Sequence, residues 1–170
     1  MGMEQIASWH LSRKMMTPEE LLKERAKSTS PLVFTNGCFD LLHYGHLRLF
    51  EDAAQHGTLV VAVNSDASVK RLKGTERPVV PQQQRMAMVA GVEAVRYVLL
   101  MEDDTPVRLI EMLKPDVHVK GGDWKEDELV EAKSVRAYGG QIIIVKTEPG
   151  WSTTDLIRRI RAVESKGVEK

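Results

Sequence analysis

Short apolar runs recur along the chain, and most of the stretches between them have the spacing of helices. The clearest run, TLVVAVN at residues 58–64, is rich in β-branched residues and does not alternate with polar ones. A strand of that kind is covered on both faces, as strands of a parallel sheet are. Four further runs begin near residues 31, 96, 115 and 141. The pattern therefore predicts parallel strands joined by helical crossovers.

The resulting fold class is α/β: a Rossmann-like, doubly wound, five-stranded parallel sheet with helices on both faces. A length of 170 residues favours one domain. We assign residues 31–165 to that domain and residues 166–170 to a tail. Residues 1–30 are an extension with one helix, for which Thr17, Pro18 and Glu20 form the start signal. The segment 70–81 is predicted to be a polar loop, and 126–140 a helix.

Composition excludes several classes of partner. The chain has 24 Lys and Arg against 24 Asp and Glu, which leaves no overall field for nucleic acid or an anionic membrane. No stretch has the roughly 18 apolar residues of a membrane helix, and the start lacks the apolar core of a signal peptide. The single cysteine, Cys38, allows no intrachain disulfide. We expect a soluble, cytoplasmic protein.

Four polar clusters follow predicted strands. They span residues 36–46, 64–77, 120–124 and 147–154. In doubly wound sheets, ligands bind beyond the carboxyl ends of the strands. The four clusters are therefore expected to converge at one edge of the sheet, although strand ends are often polar without being functional.

The first cluster contains TNGCFDLLHYGHL, in which His43 and His46 flank Gly45 at a predicted helix start. The first amides of a helix have no partner and attract anions. A Walker A loop and a G-x-G-x-x-G fingerprint are both absent from the sequence, so the pair indicates a phosphate site of another kind. A zinc site with Cys38 is the weaker alternative, because catalytic zinc usually has three protein ligands.

The H-x-G-H pattern resembles the signature of the nucleotidyltransferase superfamily, which includes cytidylyltransferases and pantetheine-phosphate adenylyltransferase. With VNSD, KGGDW and STT in the same order, residues 17–163 resemble the adenylyltransferase domain that makes ADP-heptose. The resemblance implies transfer of AMP from ATP to D-glycero-β-D-manno-heptose 1-phosphate with release of pyrophosphate. It also implies Mg²⁺ carried by the triphosphate, with no direct protein ligand, and a homodimer.

The resemblance also implies site residues. The expected catalytic residues are His43, His46 and Lys73. The expected nucleotide-binding residues are Thr35, Asn36, Gly37, Phe39, His43, Gly45, His46, Gly121, Asp123, Trp124, Thr147, Ser152, Thr153 and Thr154. The expected substrate-binding residues are Asp40, Asn64, Asp66, Lys70, Arg85 and Lys120. Lys70 and Lys73 are placed on a flexible loop, and the stretch from Ser152 to Thr154 on a capped helix start.

Two alternatives stay open. One is a cytidylyltransferase that acts on glycerol 3-phosphate or another polyol or sugar phosphate, and the other is a non-catalytic nucleotide-binding module. Related heptose enzymes often carry a fused kinase, for which the residues before Pro31 leave no room. We therefore expect a stand-alone transferase that depends on a separate kinase and phosphatase.

Overall fold

A computed structural model describes residues 10–146 and 152–164 of the chain. The strands are β1 (Met15–Met16), β2 (Leu32–Gly37), β3 (Thr58–Asn64), β4 (Tyr97–Met101), β5 (Val117–Gly121) and β6 (Gln141–Val145). The helices are α1 (Pro18–Arg25), α2 (Tyr44–Ala54), α3 (Asp66–Lys73), α4 (Gln82–Ala90), α5 (Val107–Leu113), α6 (Ala132–Ala137) and α7 (Thr153–Glu164). Two 3₁₀ turns, His10–Lys14 and Glu126–Glu128, complete the described elements.

The strands form one parallel sheet in the order β1-β4-β3-β2-β5-β6. The chain moves from β2 outward through β3 to β4, and then returns to add β5 and β6 on the other side of β2. The order of the strands therefore reverses between β2 and β5. In open α/β sheets this point is where loops diverge and ligands bind.

The two faces of the sheet bury separate apolar clusters, as the absence of polar alternation predicts. Val61 and Val63 face a cluster that includes Phe50 of α2 and Val89 of α4. Val60 and Ala62 face the opposite cluster, with residues of α1, α5 and α6. The α/β class with a parallel sheet and helices on both faces is thereby confirmed.

The prediction of five strands was wrong, because β1 adds a sixth at the edge of the sheet. Met15 and Met16 pair with Val98 and Leu99 of β4. A strand of two residues is too short to show a periodicity, so the sequence carried no signal for it.

One loop prediction and one helix prediction also need correction. Part of the predicted loop 70–81 belongs to α3, which Ser65 caps by accepting a hydrogen bond from the Ser68 amide at 3.2 Å. Most side chains of α3 are exposed, so it lacks the apolar stripe from which a helix is recognised. The predicted helix 126–140 is divided into the Glu126–Glu128 turn and α6. The predicted capping box of Thr17 and Glu20 at α1 is confirmed.

No helix among residues 10–146 and 152–164 is both long and apolar enough to cross a bilayer.

Candidate active site

The strand order reverses between β2 and β5, and the space beyond the carboxyl ends of these two strands is called the crevice below. These strands are paired only at Val33 with Val117 and Phe34 with His118, whereas β2 and β3 are paired over the whole of β2. Thr35 is the next residue of β2. Its hydroxyl is fully buried and has no hydrogen-bond partner within the described part of the chain. An unpartnered buried hydroxyl at such a point is a mark of a ligand site.

The turn from β2 into α2 is shaped by Phe39. This residue has a positive φ of 46°, and its ring packs at 5.1 Å from Phe50 and edge-on at 5.2 Å from the His46 ring. A side chain on Gly37 would come within 3.0 Å of the Phe39 ring, so glycine leaves the space that the ring fills. The Phe39 side chain lies in the core and packs against His46, and the nucleotide contact predicted for it stays a prediction.

His43 and His46 are stacked at the start of α2. Their ring centroids are 3.7 Å apart with an interplanar angle of 23°. The His43 amide donates to His46 Nδ1 at 3.4 Å, so Nδ1 is unprotonated and Nε2 is the proton-bearing nitrogen of His46. The helix that begins here adds the positive end of its dipole.

Both histidines are neutral at physiological pH in this arrangement. Burial, and then the nearby charge of His43, lower the pKa of His46 to about 3. Burial also lowers the pKa of His43 from its usual value. Two stacked neutral imidazoles do not repel each other, and each carries one N–H donor. A bound anion would favour the protonated form of either ring.

Asp40 is a buried carboxylate that holds a second loop against the histidine turn. It is 1% exposed and accepts from Arg77 Nε at 2.6 Å, the Val79 amide at 2.8 Å and the Val80 amide at 2.9 Å. Burial tends to raise the pKa of Asp40, but these hydrogen bonds outweigh it and hold the pKa below the usual value. Asp40 therefore fixes the course of residues 77–80.

Arg85 joins three parts of the same region from within the protein. Its side chain is fully buried and donates to the carbonyls of Cys38 and Val80 and, at 2.7 Å, to Asp66 Oδ1. The geometry supports a positioning role for Arg85 and Asp66, while the predicted substrate contact of each stays a prediction. Asn64 has a similar internal role, since its amide donates to Ser68 Oγ at 2.9 Å.

The start of α7 lies beside the histidine turn. Ser152 Oγ accepts from the Asp155 amide at 3.0 Å, and the Thr153 hydroxyl donates to the Leu41 carbonyl at 3.3 Å. Thr154 lines a groove of about 400 Å³ together with Arg77 and Val79. Two helix starts thus approach one another, which is the convergence predicted for these clusters. Thr147 lies outside the described residues.

The end of β5 contributes Lys120, whose ammonium lies 3.3 Å from Asn36 Oδ1 and 3.1 Å from Glu131 Oε1. Glu131 in turn contacts His118. Sequence reasoning missed both His118 and Glu131. The sequence did contain a signal for such a cluster. His118 and Lys120 are two residues apart on one strand and therefore lie on the same face, where one acidic side chain can contact both.

The remaining predicted residues belong to the end of β5, the turn that follows it, and α3. A side chain on Gly121 would meet Leu49 at 3.1 Å, so glycine allows β5 to pack closely on α2. Asp123 is exposed, and Trp124 is 49% exposed. Lys70 and Lys73 lie in the last turn of α3, and not on a loop as predicted; both are exposed.

The zinc alternative gains no support from Cys38. Burial raises the pKa of its thiol, whereas zinc binds the thiolate. Among residues 10–146 and 152–164, no group of three or more His, Cys, Asp or Glu side chains is arranged to hold a metal ion.

Fold and site together define a Rossmann-like α/β protein with a stacked histidine pair at a helix start beside the switch point of its sheet. The chain belongs to the Cytidylyltransferase-like family, whose profile matches residues 34–159. It is a nucleotidyltransferase, an enzyme that transfers nucleotidyl groups.

Known proteins agree with this assignment. The chain is 47% identical over 153 residues to the bifunctional protein HldE of Hahella chejuensis, a match that covers 88% of this chain and 32% of that protein. The chain thus spans about a third of the length of this relative. Among solved structures, the lipopolysaccharide core biosynthesis protein of Thermoplasma volcanium has a TM-score of 0.58 and 27% identity, and covers 70% of this chain and 97% of its own. The pantoate-beta-alanine ligase of Francisella tularensis has the same TM-score of 0.58 at 13% identity, covers 88% of this chain and 77% of its own, and shares the fold alone.

Proposed function

We propose that this enzyme transfers AMP from ATP to D-glycero-β-D-manno-heptose 1-phosphate, giving ADP-heptose and pyrophosphate. The stacked His43 and His46 pair, beside the start of α7 at the switch point, is the observation that carries the transfer chemistry. The choice of acceptor is supported by the order of the H-x-G-H, VNSD, KGGDW and STT motifs. The similarity to HldE over most of the chain also supports it.

The reaction needs no protein nucleophile. An oxygen of the acceptor phosphate attacks the α-phosphorus of ATP, a bond to that phosphorus forms, and the bond to the bridging oxygen of pyrophosphate breaks. The attacking oxygen is already an anion, so no strong base is required. Catalysis then consists of alignment and of stabilising charge on the transferring group.

The histidines suit this task because they are neutral before the substrate binds. His46 Nε2 bears a proton and is available as a donor to an oxygen of the transferring group, and His43 adds a second imidazole stacked on it. As negative charge grows in the transition state, each N–H···O contact strengthens. The helix starts of α2 and α7, which meet at the Thr153–Leu41 hydrogen bond, add the positive ends of two helix dipoles.

We propose that Mg²⁺ enters with the triphosphate. The Asp40 carboxylate is fully engaged by Arg77 and two amides, so the site fits a metal held by phosphate oxygens and water rather than by a cage of carboxylates. When bound, Mg²⁺ neutralises charge on the phosphates. We further propose that the enzyme acts in the cytoplasm and that it is a homodimer. Light scattering of the purified protein measures its molar mass in solution and so tests the dimer.

Pyrophosphate release tests the proposal. Purified protein is incubated with ATP, CTP or GTP against the β- and α-anomers of D-glycero-D-manno-heptose 1-phosphate and against glycerol 3-phosphate, and products are identified by mass spectrometry. Release with ATP and the β-anomer is expected. Release with CTP and glycerol 3-phosphate would replace the proposal with the cytidylyltransferase alternative. Nucleotide binding without release would make the protein a non-catalytic module.

A further inference from the structure

A buried cluster of side chains connects α6 to the mouth of the crevice. His118 and Lys120 project from one face of β5, and Glu131 lies immediately before α6. Glu131 Oε1 accepts from His118 Nε2 at 3.0 Å and from Lys120 Nζ at 3.1 Å. The Lys120 ammonium also donates to Asn36 at the end of β2. The family reaction described above uses neither His118 nor Glu131.

Glu131 carries a negative charge although it is almost completely buried. It is 2% exposed. Burial tends to raise the pKa of Glu131, but the hydrogen bond from His118 and the charge of Lys120 outweigh burial and lower the pKa to about 2. An ionised carboxylate only accepts hydrogen bonds, so His118 Nε2 must be the donor. His118 and Lys120 therefore donate to the same carboxylate oxygen, Oε1, and the bond from His118 fixes where that oxygen lies.

Stability alone does not account for this arrangement. Well-packed apolar residues in place of a buried ionic cluster are often as stable or more so. A lysine ammonium is a point charge on a flexible stem of four carbons. What the cluster provides beyond packing is a defined position for that charge.

The Lys120 ammonium is held at the crevice. Lys120 and Asn36 lie two residues beyond the last paired residues of β5 and β2, His118 and Phe34. Their contact bridges the two strands where backbone pairing has ended. An ammonium has three N–H donors, and two have acceptors among the described residues. One donor is therefore left for a phosphate oxygen.

We infer that Glu131, oriented by His118, is a positioning residue that holds the Lys120 ammonium at the mouth of the switch-point crevice to bind a substrate phosphate. The inference deepens the proposed function and rests on it. The phosphate belongs either to the nucleotide or to the acceptor, and separate titrations distinguish the two. Because the ammonium is held before the substrate arrives, less conformational freedom is lost on binding.

A double-mutant cycle tests the inference. Glu131→Gln, Lys120→Met and the double variant are compared with Glu128→Gln, a matched change at a more exposed glutamate that pairs with Lys125. We expect kcat/KM to fall about thirtyfold in Lys120→Met and about tenfold in Glu131→Gln, the scale of a charge-assisted hydrogen bond. The double variant should be no worse than Lys120→Met, and Glu128→Gln should be unchanged. Thermal unfolding establishes that each variant is folded.

The cycle separates positioning from a merely structural role. If Glu131 acts through Lys120, its substitution has no further effect once Lys120 is gone. The inference would be overturned if the fold-loss of kcat/KM in the double variant equalled the product of the two single fold-losses. It would also be overturned if kcat/KM of Glu131→Gln were within twofold of that of Glu128→Gln. If Glu131→Gln does not fold, the double change His118→Leu and Glu131→Leu keeps the core apolar and should show the same tenfold loss.

Calorimetric titration with ATP and with the sugar phosphate gives a readout that does not need turnover. We expect weaker binding of one of the two ligands in both Lys120→Met and Glu131→Gln, and that ligand is the one whose phosphate contacts the ammonium. Unchanged affinity for both ligands would overturn the inference. A wild-type protein that binds ATP but releases no pyrophosphate would refute the proposed function, while the same titrations still decide the role of Glu131.

Discussion

Two buried carboxylates flank the crevice, and they are held in different ways. Asp40, on the β2 side, accepts from two backbone amides and from Arg77. Glu131, on the β5 side, accepts from the side chains of His118 and Lys120. Asp40 therefore fixes the backbone of a loop, whereas Glu131 fixes the position of one side-chain charge.

The comparison shows that two carboxylates with similar burial can have different roles in one site. Every residue type except proline has the same backbone amide donor, so the two amide contacts of Asp40 form with any other residue at positions 79 and 80. The contacts of Glu131 depend on the identity of His118 and Lys120. Loss of Asp40 should therefore act mainly on stability, and loss of Glu131 mainly on substrate binding.

The largest effect is expected for Asp40→Ala. This change leaves Arg77 and the amides of Val79 and Val80 without their acceptor in a partly buried region, and should lower the free energy of unfolding by about 3 kcal/mol. Urea unfolding measures it. Asp52→Ala is the control, because the ion pair of Asp52 in the described part of the chain is a 4.0 Å contact with the exposed Arg48. This substitution should cost at most about 0.5 kcal/mol. A loss below about 1 kcal/mol for Asp40→Ala would remove the contrast with Glu131.

The histidine pair should give the next largest effect, on turnover rather than stability. His43→Ala and His46→Ala are each expected to reduce kcat by at least about a hundredfold, the scale of one lost transition-state donor. Steady-state pyrophosphate release measures this. The exposed His56, just beyond α2, supplies the control His56→Ala, which should keep the wild-type rate. Near-wild-type rates in both active-site variants would refute the mechanism.

The smallest effect is a dependence of stability on pH that arises from the histidine pair. The folded pKa of His46 is about 3, against an ordinary value of 6.5. Below pH 6.5 the unfolded chain binds a proton that the folded protein does not, so stability falls as the pH decreases from 6.5 towards 3. We expect a loss of about 1 kcal/mol between pH 7 and pH 5.5, and the lowered pKa of His43 adds to it.

Protonation of the two buried carboxylates lowers stability only at a more acidic pH. Folding lowers the pKa values of both Asp40 and Glu131. Each carboxylate therefore stabilises the protein fully at a pH above its ordinary pKa. For Glu131 this stabilisation is lost as the pH falls towards its folded pKa of about 2. Urea unfolding at pH 7 and 5.5 should therefore show a smaller loss for His46→Gln than for the wild-type protein. Equal losses in the two proteins would place the titration elsewhere.

The motif residues were predicted better than their contacts. The H-x-G-H turn, the capping of α7 and the convergence of strand ends followed from local patterns and from the rule that parallel strands end at one edge. Arg85 was also singled out, yet its burial beneath the Cys38 and Val80 carbonyls was not foreseen. Its surroundings are assembled from segments that are distant in sequence, and helical spacing alone does not reveal them.

The sequence by itself determined the α/β class, the parallel sheet, and a histidine pair at the start of a helix, because periodicity and capping are local properties of the chain. Only the tertiary structure decided that Met15 and Met16 add an edge strand, that Phe39 lies in the core beneath His46, and that Glu131 meets Lys120. These contacts depend on strand order and on the packing of helices across the sheet. Both arise when distant segments bury their apolar faces together, and no short stretch of sequence records that outcome.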